Sequence, residues 1–169
     1  MATTFVKIAS TSIGSGGAAS MSFTSIPSTY TDLCVKVSLR AAVNQQSWTL
    51  TFNSSGSGYS QKVLYGDGSG VSSQSLSAQS VIYGYAQDRS TWTANTFNNG
   101  EIYILNYAGS NYKSVSIDEV SENNATLANQ AFVAGLWSNT AAITSITIGG
   151  YSGDLAQYSS ATLYGIKNS

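Results

Sequence analysis

Histidine is missing altogether from this 169-residue sequence. Its absence removes serine–histidine and cysteine–histidine catalysis, together with the commonest protein ligand for zinc and iron. Cysteine occurs once, as Cys34, so neither an intrachain disulfide nor a cysteine-rich metal site can be built. Charge is scarce: Asp, Glu, Lys and Arg make up 9% of the chain, against about 25% in an ordinary soluble domain. Seven basic and eight acidic residues leave a net charge of −1, and no block of like charge occurs. A nucleic-acid surface needs clustered Lys and Arg for its phosphates, so nucleic acid is excluded as a partner. No apolar run approaches the ~20 residues of a membrane helix, so membrane insertion is not expected. The N-terminal "MATTFVKIAS" lacks the apolar stretch of a secretory signal, and folding in a cytosol is expected.

What is present is hydrophobic and hydrogen-bonding. Apolar residues reach 42%, with eleven tyrosines and sixteen glycines. Ser, Thr, Asn and Gln carry the polarity that charge usually carries. This length suits one domain spanning 1–169, large enough to bury roughly 70% of its unfolded surface.

Period-two alternation dominates the chain. In "DLCVKVSLR" (32–40), Leu33, Val35, Val37 and Leu39 fall on one face, and Cys34, Lys36, Ser38 and Arg40 on the other. "WTLTF" (48–52) repeats the pattern with Trp48, Leu50 and Phe52, which places Trp48 in the core. Strands are also predicted over 4–9, 21–26, 59–65, 81–86, 101–107, 113–120, 130–137, 142–148 and 161–167. Turn chemistry separates them: "GSGG" at 14–17, "NSSGSG" at 53–58, "GDGSG" at 66–70 and "NNG" at 98–100. The lone proline, Pro27, lies just ahead of the clearest strand, where no ladder donor is needed. The Asn-rich stretch 122–135 predicts at most one short helical turn. With no βαβ alternation, the fold class is all-β: an antiparallel sandwich of about eight to eleven strands.

Chemistry is harder to place. A glycosidase needs two carboxylates at a set separation. The candidates are Asp32, Asp67, Asp88, Glu101, Asp118, Glu119, Glu122 and Asp154, and no pair stands out. Asp118 and Glu119 are neighbours on a strand and must point to opposite faces. Asp67 in "GDGSG" lacks the other acids of a calcium loop and is read as a turn residue. Cys34 is read as a small packed residue rather than a reactive thiol. No enzyme activity, cofactor or metal is therefore expected. Aromatic residues are the remaining signal. Trp92, in the polar stretch "DRSTWTANT", with Tyr83 and Tyr85 of "YGY", are the candidate ligand or partner contacts, because such rings suit sugars and protein interfaces alike.

Four stretches, "FTSIPSTYTDLCVKVSLR", "EIYILNYAGSNYKSVSIDEV", "AGLWSNTAAITSITI" and "YSSATLYGIK", together resemble a family of small virion proteins of tailed bacteriophages, found in marine and cyanobacterial phages. The resemblance covers most of the chain and is weakest over 54–96. It implies a jelly-roll-like β-sandwich and a non-enzymatic structural role on the virion, after assembly in the host cytoplasm. On this reading Trp137 packs at a strand end, and "SNTAA" forms the turn into "ITSITI".

Two roles are compatible with it. One is a capsid decoration or cement protein that contacts the major capsid protein and its own copies. For that role the chain is expected to open on its first strand without a stalk, and capsid three-fold positions make a homotrimer the expected oligomer. The other is a tail or appendage protein that recognises host surface glycans.

Overall fold

The computed structural model describes residues 4–124 and 128–167. The described residues form twelve strands: β1 (Phe5–Ser12), β2 (Ser20–Phe23), β3 (Asp32–Ser38), β4 (Trp48–Phe52), β5 (Tyr59–Gly66), β6 (Val71–Gln79), β7 (Ile82–Gly84), β8 (Asn99–Ile104), β9 (Lys113–Ser121), β10 (Asn129–Trp137), β11 (Ile146–Gly150) and β12 (Ser160–Ile166). The described residues contain no helix, and hence none long and apolar enough to cross a membrane. The strand count exceeds the expectation by one, and the addition is β6. Its sequence, VSSQSLSAQ, is exposed at almost every position and carries no alternation to read.

The strands make two antiparallel sheets, ordered β1-β12-β3-β8-β9-β10-β5-β6 and β2-β11-β4-β7. Within the larger sheet, β1-β12-β3-β8 opposes β2-β11-β4-β7 in the wiring of a jelly roll, two four-stranded sheets of interleaved Greek keys. Two hairpins are added to that frame. β5–β6 is inserted between β4 and β7, and β9–β10 between β8 and β11. Both extend the larger sheet beyond β8.

Alternation explains which side chains fill the space between the sheets. Leu33, Val35, Val37 and Leu39 are buried, as their spacing predicts, while Lys36 is exposed. β9 alternates buried and exposed over its whole length. Trp48, Leu50 and Phe52 from β4 are fully buried. Trp137, at the end of β10, is 1% exposed. It stacks on Tyr59 at 6.2 Å between ring centroids and tilts against Phe52 at 5.6 Å, which makes it a core residue at a strand end. The segment after it is longer than a simple turn. β11 begins at Ile146, and the loop 138–145 is held from outside. Asn53 Oδ1 accepts from Thr144 and Ser145 N–H, and its Nδ2 donates to Ala142 O. Asn139 Oδ1 accepts from Ala141 N–H within that loop.

Cys34 projects to the outer face but is fully buried. Its neighbours in register are Tyr103 on β8 and Tyr164 on β12, whose rings flank the small thiol. Burial is the main cause that pushes the thiol's pKa up to about 11, so it is a poor nucleophile.

Candidate functional site

Because successive strands run in opposite directions, every odd-to-even connection reaches one end of the sandwich. That end gathers the loops 13–19, 39–47, 67–70, 85–98 and 151–159, with the described part of the β9–β10 connection. All three candidate aromatics lie in or beside this end: Trp92 and Tyr85 in the 85–98 loop, and Tyr83 on β7 just before it.

Loop 85–98 is long and holds no strand, yet it is tightly anchored. Arg40 follows β3 and spreads its guanidinium under the loop. Its Nη1 donates to Thr93 O (2.9 Å) and Thr96 O (2.8 Å), and its Nη2 to Trp92 O (3.1 Å) and Ser90 O (3.3 Å). A guanidinium is a planar, always charged fork, so one side chain can bind four carbonyls that no strand pairs. Arg89 lies over the Trp92 ring, 5.2 Å from its centroid, and donates to Gln46.

Beneath the loop, Glu119 on β9 is 1% exposed and accepts from three sides. Trp48 Nε1 donates to its Oε2 at 2.7 Å, Tyr85 N–H donates to its Oε1, and Asn98 Nδ2 reaches Oε2 at 3.5 Å. Asn98 Oδ1 in turn accepts from Leu39 N–H at 2.6 Å. Burial pushes the Glu119 pKa up; the bonds from Tyr85, Trp48 and Ala86 pull it down by less. Asp88 is also buried and accepts from Ser121 Oγ. Four buried atoms in this corner have no partner among the described residues: Asp88 Oδ2, Arg89 Nε, and Nδ2 and Oδ1 of Asn123. They comprise two acceptors and two donors. Such a mixture suits water, whereas a cation takes acceptors alone. Among the described residues, no group of three acidic or cysteine side chains is placed to hold a metal.

Glu119, Asp88 and two further acids, Asp32 and Asp67, are thus used to fasten loops. Asp32 accepts from Tyr103 O–H and Asn106 N–H, both at 2.7 Å. Asp67 Oδ1 accepts from Ser69 and Gly70 N–H at 2.9 Å each, which closes the "GDGSG" turn. Asp118 is exposed while Glu119 is buried, as adjacent strand positions require.

The structure places the three candidate contact aromatics in separate surroundings. Trp92 is half-buried under Arg89. Tyr83 packs edge-on against Tyr151 at 5.5 Å. Tyr85 stacks on Tyr65 at 5.9 Å, donates its O–H to Gln74 and closes the core at this end. Among the described residues, no ring contact joins Trp92 to either tyrosine. Sequence reasoning missed Tyr151, which is 53% exposed and offers more open ring than Trp92 does. Its position in the turn "GGYSGD" was the available signal.

A second surface lies on the outer face of the large sheet. Phe132 on β10 stands beside Leu64 on β5, its partner in register, and both are 49% exposed. Val120 on β9 and Val71 on β6 extend the patch to 44% and 75% exposed residues. Gly66 lies between them in register with Gln130 and Val71. Lacking a side chain there, it leaves a shallow hollow. No family model matches this sequence, and no curated protein is detectably similar to it.

Proposed function

We propose that this protein is a non-enzymatic structural component of a tailed-bacteriophage virion that decorates the capsid surface. The observation that supports this reading best is the exposed apolar patch of Leu64, Val71, Val120 and Phe132 on an uncovered sheet face. Contiguous exposed apolar surface marks an interaction site, and a neutral, hydroxyl- and amide-rich surround lets many copies approach without repulsion. The partners are the major capsid protein and further copies, with a homotrimer at three-fold positions. The buried acids serve to fasten loops, consistent with a scaffold rather than a catalyst.

A specific observation favours a second reading, a tail or appendage protein that binds host glycans. The Tyr83–Tyr151 pair and Trp92 lie at or near an anchored loop end, a sound base for stacking on sugars. Quantitative mass spectrometry of purified particles separates the two. Hundreds of copies per virion, with particles lacking the protein losing DNA on mild heating yet still adsorbing, is the result expected. A few dozen copies or fewer, with intact heads and adsorption lost, would replace the first reading by the second.

A further inference from the structure

We infer that the free edge of β6 pairs antiparallel with β6 of a second copy, so that two large sheets run on as one across a two-fold axis. Among the described residues the backbone of β6 pairs in a ladder with β5 alone, since it ends the sheet order. It is also exposed on both faces, with only Leu76 and Gln79 half-buried. The strand therefore gains almost nothing from the core, and the outer row of N–H and C=O groups is open to pairing from Val71 to Leu76, ahead of Ser77, whose C=O accepts from the Gln79 amide. Natural edge strands are usually guarded by charge, proline or brevity. β6 has nine residues with no charge and no proline. Its one guard is a bulge near its end, where the register with β5 shifts and Ala78 takes a φ of 53°. From Val71 to Leu76 the pairing with β5 is unbroken.

A second copy is the occupant that these residues fit. An uncharged Ser/Gln strand offers a charged peptide no complement, but it is compatible with itself. A two-fold axis satisfies both free edges at once and closes, whereas pairing β6 with the opposite edge, β1, leaves free edges that propagate. Same-face pairing sets Val71, Ser73 and Ser75 of each copy together on the outer face. There Leu64 of the two copies lies three strand spacings, about 14 Å, apart, so the Leu64–Phe132 patches face the same way without touching. This contact is additional to the three-fold association proposed above and does not depend on where the protein resides.

Sedimentation of the intact protein over a concentration series tests it. The wild type is expected to reach twice the mass of a Val71→Lys/Ser73→Lys variant, which places like charges across the axis at exposed positions. The Val71→Glu/Ser73→Glu variant should likewise fail to double. An equimolar mixture of the Lys and Glu variants should double again. Phe132→Ser, in the patch but two strands from the edge, should double as the wild type does. No doubling of the wild type at any concentration overturns the inference. So does doubling that survives both charge variants, or that Phe132→Ser abolishes while they do not.

Discussion

Trp48 Nε1 donates to Glu119 Oε2 at 2.7 Å, a bond that runs from the small sheet to the large one directly under the 85–98 loop. Trp48 and Glu119 are both fully or almost fully buried, and Glu119 also receives Tyr85 N–H and Asn98 Nδ2. Glu119→Ala should destabilise the domain by on the order of 3 kcal/mol, because several buried donors lose their acceptor at about 1–3 kcal/mol each. Urea unfolding measures this. A change no larger than that of an exposed Ser→Ala substitution would show that the junction carries no load.

The same carboxyl should tilt the pH dependence of stability. Its pKa is raised, with burial as the leading cause and the neighbouring Asp118 charge acting in the same direction. The native state therefore holds this proton more tightly than the unfolded chain does. The resulting stability is fully present below the ordinary glutamate range and is lost as pH rises through the raised value. Glu119→Gln cannot ionise and should flatten the slope in that window. Identical slopes for the two proteins in pH-resolved urea titrations would remove Glu119 as the cause.

Gly84 on β7 lies against the Trp48 ring, and an added methyl would overlap the indole. Gly84→Ala should cost about 1–3 kcal/mol through overpacking. Gly14→Ala, with no atom within 4 Å of the added carbon, should be close to neutral. Thermal unfolding of the pair reports the contrast, and equal losses would contradict the packing described.

Val37 is 4% exposed and its Cγ2 lies 2.9 Å from where a Cβ on Gly100 would be. Val37→Asp buries an unpaired charge at a cost on the order of several kcal/mol and should unfold the domain. Lys36→Asp removes an exposed pairing with Glu101 and should cost about 1 kcal/mol or less. Circular dichroism distinguishes them; comparable damage would mean that the faces of β3 are reversed.

Trp92→Ala removes the ring beneath Arg89, worth about 0.5–1 kcal/mol of stability at a partly exposed site. If the protein decorates the capsid, host adsorption should be unaffected. If it reads glycans through this ring, affinity should fall by roughly 1–3 kcal/mol, by analogy with bases stacked on aromatics. An adsorption assay on mutant particles decides between them.

The sequence alone determined the fold class and the inward faces, because burial sorts side chains by local period: Leu33 to Leu39 on β3 and Trp48 to Phe52 on β4 alternate where the sheets demand it. It also separated Asp118 from Glu119 and read Asp67 as a turn residue, since adjacent strand positions and Asx turns are local geometry. Tertiary structure decided the rest. β6 exists because β5 offers it a ladder, and a Ser/Gln strand has no hydrophobic signal of its own. Cys34 is buried on an outward face because Tyr103 and Tyr164 come alongside from strands distant in sequence. Trp92 is half-covered because Arg40 draws in the loop's carbonyls and Arg89 crosses the ring. Glu119 meets Trp48 across a separation of 71 residues, a distance over which strand order, and no local pattern, chooses the partner.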